Sequence, residues 1–173
     1  RENKNFKEAD RIIEKTYTCP FLAHNTLEPM NFFADVTENF ARLVGPIQTP
    51  EYLETTISDR FDLPKEKVDI MMTRMGGGFG RRLYGHFLLE AAVISKKVKS
   101  PVKLIYSRED DMTTGTYRPT YHVLYRASVN KQNEVTAIHI RSGGIPESSI
   151  YANRFPAGTI KNFLAESWSV TSN

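Results

Sequence analysis

Hydrophobic and polar positions along the chain change their period several times, which predicts a protein of mixed strands and helices. Two short runs rich in aromatic and β-branched residues, 32–36 and 39–44, indicate strands joined by a turn at 37–38. The apolar run VDIMMT at 68–73 predicts a buried strand, and PVKLIYS at 101–107 predicts another. These runs are short and bounded by polar or glycine residues, so we expect them to form a sheet.

The two ends of the chain follow other patterns. Alternation in YHVLYRASV (121–129) and VTAIHI (135–140) predicts a hairpin with its loop at 130–134. Residues 1–14 are mostly polar and indicate a leading segment or a short helix, whereas 143–173 mix glycine, proline and aromatic residues without a clear period. The sequence contains no internal repeat.

Two stretches carry hydrophobic residues at helical spacing. In 50–61 the apolar positions recur every three to four residues, with Thr49 ahead of Pro50 as the expected cap and 62–64 as the end. The stretch 83–98 is rich in leucine and alanine and closes with lysines, which suit a helix C-terminus. We therefore predict an α+β fold in which two main helices pack on a mixed sheet, with the whole chain as a single domain.

Composition is that of a globular domain. At 173 residues, with 40% hydrophobic and 25% charged residues, the chain is long enough to bury a core. The net charge of +3 comes from interspersed acidic and basic residues, so no nucleic-acid-binding arm is indicated. No apolar run approaches the roughly 20 residues of a membrane helix, so we expect no membrane insertion. The single cysteine, Cys19, excludes an internal disulfide and a thiolate metal site, and we expect it to be buried.

The segment TRMGGGFGRRLYGH at 73–86 places glycines between a predicted strand and a predicted helix. Glycine takes positive φ freely and lets backbone amides approach a ligand, and amides at a helix start bind anions. Arg81 and Arg82 fall at this predicted helix start, where cations are unfavourable by about 0.3–1 kcal/mol each unless an anion is bound. The segment therefore favours a phosphate or an anionic cofactor, with a flexible connecting loop as the alternative.

Two familiar phosphate-binding motifs do not fit this segment. A nucleotide P-loop needs lysine and then serine or threonine, but two arginines and a leucine follow Gly80. The dinucleotide motif GxGxxG would start at Gly76 and Gly78 and would need glycine or alanine where Arg81 stands.

Four segments carry a more specific resemblance. They are AHNTLEPMN at 23–31, PIQTPEYLETTISDRFDLPKEKVDI at 46–70, RMGGGFGRR at 74–82 and PVKLIYSREDDMTTGTYRP at 101–119. In this order they resemble the molybdenum-cofactor-binding large subunit of the xanthine oxidase family of hydroxylases, with the core of the resemblance over 20–142. The glycine motif is similar to that of the isoquinoline 1-oxidoreductase β-subunit and related aldehyde dehydrogenases, whereas xanthine oxidases carry GGGFGGK.

The resemblance implies a cofactor site. Gln48 takes the place of a glutamine that hydrogen-bonds near an oxo ligand of molybdenum, and 77–80 take the place of the loop against the metal and its dithiolene. In that loop a backbone amide donates to an oxo group and Phe79 forms an apolar wall for the substrate, while Arg81 or Arg82 helps to hold the cofactor electrostatically. The cofactor-binding residues expected on this basis are Gln48, Gly77, Gly78, Phe79, Gly80 and Arg81. The pterin dithiolene holds the metal, so no protein ligand is required.

The resemblance also implies an activity and partners. An intact enzyme of this kind hydroxylates aldehydes or N-heterocycles with water-derived oxygen and passes electrons to an iron–sulfur small subunit. Its molybdenum-pterin cofactor is expected in the cytosine dinucleotide form. The family's catalytic glutamate and a further arginine are not found in this sequence, so we expect a segment of a longer subunit, inactive and without cofactor on its own. The compartment is expected to be the cytoplasm or periplasm of a bacterium; the alternative function is a non-catalytic binding or assembly domain.

Several other polar residues have structural explanations. His24 and Glu28 are four residues apart, but prolines flank them and no third ligand is near in sequence, so a metal pair is not favoured. The acidic residues 109–111 are expected to cap a helix or to pair with Arg108 and Arg118.

The remaining histidines also have ordinary explanations. His86 lies on the predicted helix after the glycines, where a packed or solvent-facing position is the default. His122 and His139 belong to the predicted hairpin, where cross-strand packing accounts for them.

Overall fold

The computed structural model describes residues 4–145 and 158–170. It forms two compact units, one from the continuous segment Ala23–Tyr117 and one from the described parts of Arg1–Leu22 and Arg118–Asn173. The sequence predicts a single domain, whereas the structure has a separate sheet in each unit. Within the described residues, no helix is long and apolar enough to cross a membrane.

The helices and strands are numbered in chain order. They are α1 (Lys4–Lys7), β1 (Arg11–Cys19), β2 (Asn31–Val36), β3 (Ala41–Gly45), α2 (Glu51–Phe61), β4 (Val68–Met72), α3 (His86–Val98), β5 (Val102–Ile105), α4 (Arg108–Thr113), β6 (Thr120–Val129), β7 (Val135–Ile145) and β8 (Asn162–Ser169). Short 3-10 turns at Lys65–Lys67 and Arg81–Leu83 precede β4 and α3.

The unit Ala23–Tyr117 contains a mixed sheet with the strand order β4-β3-β2-β5. β3 and β4 are parallel, and the other neighbours are antiparallel. Side chains on β2 alternate between a buried and a half-buried face, as expected for a strand that covers a core on one side. α3 packs on β2, where the ring centroids of Phe32 and Phe87 lie 5.9 Å apart. The predicted mixed sheet with two main helices is therefore confirmed.

The hydrophobic core of this unit lies between the sheet and the helices. Burying one Leu, Ile or Phe side chain contributes about 1.5–3 kcal/mol, so this core is the main source of stability. Its buried members are Met30, Phe32, Ala34, Val36, Ala41, Leu43, Ile47, Leu53, Ile57, Leu63, Val68, Phe87, Leu88, Ala91, Ala92 and Tyr106.

The predicted helices are confirmed with local corrections. α3 begins at His86 rather than at 83, because Arg81–Leu83 form a separate 3-10 turn. Thr49 does not cap α2, because its hydroxyl donates to the Leu83 carbonyl (3.2 Å) and no side chain caps the helix. Asp62 ends α2 as predicted, in the left-handed conformation with φ 53°.

The strand predicted to be buried at 68–73 is instead an edge strand. β4 has β3 as its neighbour on one side, and no described strand pairs with its other side. Val68 is buried, but Met71 and Met72 are 47% and 57% exposed. An apolar run shows that a strand is favoured, but burial depends on how many neighbours the sheet supplies.

The second unit has the sheet order β1-β6-β7-β8. The predicted hairpin is confirmed as β6 and β7, with β7 continuing to Ile145. β8 runs parallel to β7 within the stretch that has no clear period, of which 146–157 and 171–173 lie outside the described residues.

The start of the chain agrees with its prediction in part, since a short helix is present. Only α1 is helical in the described part of 1–14, residues 1–3 lying outside it, and β1 pairs antiparallel with β6 from residue 11 onward. Cys19 is exposed at the end of β1, so the expectation of a buried cysteine is wrong. The reason is that β1 lies at the edge of the sheet formed by the described residues, and every residue of the strand is exposed.

Candidate functional site

A glycine-rich loop connects β4 to the 3-10 turn that precedes α3. Its backbone has positive φ at Gly77 (101°), Phe79 (49°) and Gly80 (89°). Glycine adopts such angles without steric cost, whereas Phe79 carries a β-carbon and is held there by its surroundings. The loop therefore has an unusual backbone shape that two of its glycines make possible.

Three consecutive carbonyl groups of this loop, at positions 76–78, accept hydrogen bonds from Glu28 or from the 3-10 turn that follows the loop. Their donors are, in order, the Glu28 amide (3.2 Å), Arg82 Nε (2.9 Å) and the Arg81 amide (2.8 Å). In a trans peptide the carbonyl and the following N–H point in opposite directions. The amides of residues 77–79 therefore each point away from the group that holds the preceding carbonyl.

Two of these amides have no acceptor. Among the described residues, nothing accepts a hydrogen bond from the N–H of Gly77 or Gly78, although both residues are only partly exposed. Neighbouring backbone donors of this kind are suited to an anion or to an oxygen-rich ligand. These two amides are left as donors, and the carbonyl that precedes each of them is held by Glu28 or by Arg82.

Gln48 lies against this loop. Its Oε1 accepts from the Gly80 amide (3.2 Å), and its own backbone amide donates to the Arg82 carbonyl (3.1 Å). The side chain covers Gly78, where a β-carbon would lie 2.7 Å from the Gln48 Cδ and Oε1 atoms. Because Oε1 faces an N–H donor, the Nε2 group remains as a further donor, with no acceptor among the described residues.

Glu28 and Arg82 hold the loop from below. The Arg82 side chain is fully buried, and its Nη2 donates to the Glu28 carbonyl (2.8 Å) and carboxylate (3.3 Å). Glu28 Oε2 also accepts from the Gly76 amide (2.6 Å). Burial acts to raise the pKa of Glu28, but the Gly76 and Asn31 hydrogen bonds and the Arg82 charge outweigh it, so this pKa is lowered.

Arg81 lies beneath the loop rather than on its surface. Its side chain is 2% exposed, with Nη1 2.8 Å from His86 Nε2 and Nε 3.9 Å from Asp111 Oδ1. The predicted position of Arg81 and Arg82 at an α-helix start is wrong, because both lie in the 3-10 turn. Since an arginine only donates, His86 Nε2 is the acceptor of this contact. Burial, and then the charge of Arg81, lowers the pKa of His86.

Two of the three acidic residues at 109–111, Asp110 and Asp111, stabilise the local structure. Ser107 and Asp110 form a capping box at the start of α4, and Asp111 pairs with Arg108 (3.4 Å) as well as with Arg81. The predicted cap and the Arg108 pair are confirmed. The sequence gives no sign of the pairing between Asp111 and Arg81, although both residues lie in segments that carry the family resemblance.

The side chains of Phe79 and His24 lie beside the loop. Phe79 is 60% exposed, and its ring covers Gly77, where a β-carbon would lie 2.8 Å from Cε2. His24 is also close, since its Nε2 would be 3.8 Å from a β-carbon at Gly80. His24 and Glu28 precede β2 in a non-helical segment, and Glu28 has the structural role that the sequence favoured.

The predicted site residues thus lie close together, and Arg81 differs from the others in being fully buried. Gln48 contacts the loop 77–80, and Arg81 is buried under it. In the described ranges, no three His, Cys, Asp or Glu side chains form a possible metal site. His122 and His139 lie in the hairpin as predicted, and His139 contacts Glu166 (2.7 Å). Cofactor binding by these residues stays a prediction.

A cofactor with an anionic or oxo-rich end needs hydrogen-bond donors, so the donors of this loop decide whether such a cofactor fits. The backbone amides of Gly77 and Gly78 and the side-chain Nε2 of Gln48 supply N–H groups for which the described residues offer no acceptor, and two buried arginines lie behind them. Acidic side chains near the loop are engaged with those arginines. The residues present therefore fit such a group.

Comparisons with known proteins agree with this interpretation. The profile of the family described as "Molybdopterin cofactor-binding domain" matches residues 2–145. A membrane-bound aldehyde dehydrogenase [pyrroloquinoline-quinone] of Gluconacetobacter polyoxogenes is 29% identical over 87% of this chain and 20% of its own length. The nicotinate dehydrogenase large molybdopterin subunit of Eubacterium barkeri is 28% identical over 88% of this chain and 36% of its own length.

A solved structure shares the fold. The aldehyde oxidoreductase of Desulfovibrio gigas superposes with a TM-score of 0.70 and 18% identity, over 81% of this chain and 16% of that one. The chain thus spans between about a fifth and a third of the length of the two curated relatives.

Proposed function

The chain belongs to the molybdopterin cofactor-binding domain family, and from this premise we propose that it forms the molybdenum side of an oxidoreductase active site. The whole enzyme is proposed to hydroxylate aldehydes or N-heterocycles. The observation that carries the proposal is the loop 77–80, whose carbonyls are bound inside and whose Gly77 and Gly78 amides are left as donors. When bound, the molybdenum-pterin group supplies two-electron redox chemistry in which a water-derived oxygen enters the substrate.

The proposed role of the chain is to hold and orient that group. The Gly77 and Gly78 amides and Gln48 Nε2 donate to its oxygen atoms, and they need no rearrangement because Gly80 and Arg82 already fix the loop and Gln48. Arg81 contributes from beneath through its charge and through its backbone bond to the Gly78 carbonyl (2.8 Å). No catalytic base is assigned within this chain.

Phe79 is proposed to contact the substrate. An exposed aromatic ring beside the donor loop offers an apolar wall to a planar aldehyde or heterocycle. The names of the relatives, an aldehyde dehydrogenase and a nicotinate dehydrogenase, support both classes of substrate.

The finer assignments rest on the resemblance of RMGGGFGRR to the isoquinoline 1-oxidoreductase type. We propose the cytosine dinucleotide form of the pterin, and an iron–sulfur small subunit as the electron acceptor. We also propose that other domains of the same subunit complete the pocket, so that these 173 residues alone do not retain the cofactor or catalyse the reaction.

The test is the metal and nucleotide content of the full polypeptide that carries this chain, made in a host that produces the cofactor. We expect about one molybdenum per polypeptide and release of cytidine monophosphate on acid hydrolysis. Gln48→Ala is expected to lower the molybdenum content, whereas the exposed Gln132→Ala, the matched control, is not. A reproducible absence of molybdenum would support the non-catalytic assembly domain, and a bound quinone without molybdenum would also overturn the proposal.

A further inference from the structure

Arg82 and Glu28 form one hydrogen-bonded unit beneath the glycine loop. Arg82 is fully buried, and Glu28 has 34% of its side chain exposed. Nη2 of Arg82 binds both the carbonyl (2.8 Å) and the carboxylate (3.3 Å) of Glu28, and that carboxylate binds the Gly76 amide (2.6 Å). The Arg82–Glu28 pair therefore also fixes the Gly76 amide at the start of the loop.

Arg82 contacts both parts of the candidate site. Its Nε donates to the Gly77 carbonyl (2.9 Å), and its own carbonyl accepts from the Gln48 amide (3.1 Å). The Gly77 carbonyl and the Gly78 N–H belong to the same planar peptide, so fixing one fixes the direction of the other. One buried side chain thus decides where a ligand-facing donor points.

We propose that Arg82, held by Glu28, is a positioning residue that sets the direction of the Gly78 amide and so the strength with which the loop binds the cofactor. The identity of the ligand rests on the proposed function. The restraint that Arg82 places on the loop is independent of the proposed function, because it follows from contacts within the chain.

The shape of the arginine side chain is essential to this role. Its fork directs Nε to Gly77, Nη1 to the Pro46 carbonyl (3.4 Å) and Nη2 to Glu28. Lysine keeps the charge but has a single nitrogen, which cannot reach the same acceptors. Arg82→Lys therefore removes the forked hydrogen-bonding geometry while it keeps the positive charge.

The first measurement is hydrogen exchange of the peptide that spans 75–83, followed by mass spectrometry in the full polypeptide. The Gly76 and Gly80 amides are hydrogen-bonded and should exchange slowly in the unaltered protein. Arg82→Lys is expected to speed their exchange about tenfold, the equivalent of one hydrogen bond. Arg60→Lys, at an exposed position on α2, is the matched control and should leave this peptide unchanged.

The second measurement is the molybdenum retained after dialysis at a temperature well below unfolding. We expect Arg82→Lys and Glu28→Gln each to lower retention about tenfold, and the double variant to lower it no further, because both act through one unit. The exposed Glu54→Gln is the control for the second change. A purely structural role would lower the melting temperature and leave retention unchanged.

The outcomes distinguish this inference from the proposed function. If the peptide 75–83 exchanges at the wild-type rate in Arg82→Lys, the restraint on the loop is overturned. If exchange is faster but molybdenum retention is unchanged, the link between that restraint and cofactor binding is overturned. If the unaltered protein holds no molybdenum, the proposed function fails, and the exchange comparison alone then decides the restraint.

Discussion

At the residue scale, the glycines at positions 77 and 78 are required for different reasons. Gly77 has φ 101°, an angle that strains any residue with a β-carbon, and the Phe79 ring also lies over it. Gly78 has no such angle, but a β-carbon there would lie 2.7 Å from the Gln48 amide. Glycine is required at position 77 for its backbone angle, and at position 78 because the Gln48 side chain occupies the space of a β-carbon.

This difference predicts different effects of alanine. Gly77→Ala should lower the free energy of unfolding by about 1–2 kcal/mol through backbone strain. Gly78→Ala should lower it by under about 1.5 kcal/mol, because Gln48 can swing aside and lose only its bond to Gly80. Yet Gly78→Ala should lower the molybdenum content of the full polypeptide. Urea unfolding and metal analysis check both, and a Gly78→Ala variant with unchanged metal content would contradict the role of Gln48.

His86 is predicted to make stability depend on pH. Burial and the Arg81 charge lower its pKa, against the opposing charges of Glu90 and Asp111. The unfolded chain then takes up a proton near the ordinary value of about 6.5, before the folded one does. The stability is therefore complete above about pH 6.5 and falls as the pH drops from there toward the lowered pKa of the folded state.

His86→Gln is expected to flatten this decline, because glutamine still offers Arg81 an acceptor but does not titrate. The measurement is the urea midpoint between about pH 5 and 7.5. The exposed His122→Gln is the control. A wild-type slope in His86→Gln would show that another group is responsible.

At the element scale, both long helices end in a residue that is not glycine but has a left-handed backbone. Asp62 follows α2 with φ 53°, and Lys99 follows α3 with φ 54°. Each amide donates to a carbonyl of the last turn, so the conformation closes the helix despite its steric cost. Helix ends of this kind carry strain that a glycine would not.

Lys99→Gly is therefore predicted to stabilise the protein by up to about 1 kcal/mol, since the relief of strain exceeds the added freedom of the unfolded chain. Lys99→Ala removes the same side chain but keeps the β-carbon, so it should not stabilise. Thermal unfolding of the two variants gives the comparison. A Lys99→Ala variant as stable as Lys99→Gly would attribute the gain to the lysine charge instead.

The elements that sequence predicts well are those set by local pattern. Helices at 50–61 and 83–98 and most strands follow from spacing within about a dozen residues. The edge position of β4 and the burial of Arg82 depend on partners far away in sequence, such as Glu28, which is 54 residues from Arg82. The sequence places glycines at the loop but does not show that its carbonyls face inward.

At the scale of the whole molecule, the two units differ in how the chain builds them. The sheet β1-β6-β7-β8 joins the start of the chain to its later part, as in the pairing of Arg11 with Val129. Ala23–Tyr117 is continuous instead, and all its strand pairs are closed within it. Long-range pairing of β1 is why a pattern read along the chain did not separate the two sheets.

The continuous unit is predicted to fold alone and to carry the loop with it. Every member of the buried core cluster lies within Ala23–Tyr117, as do Gln48, Glu28 and Arg82. Expressed alone, this segment should give helical circular dichroism and a cooperative urea transition, which Leu53→Ala should weaken by about 2–5 kcal/mol. Its Gly76 amide should exchange slowly because Glu28 is present. A segment with no cooperative transition would mean that its core needs residues outside the segment. A folded segment in which the Gly76 amide exchanges fast would mean that the loop needs residues outside the segment.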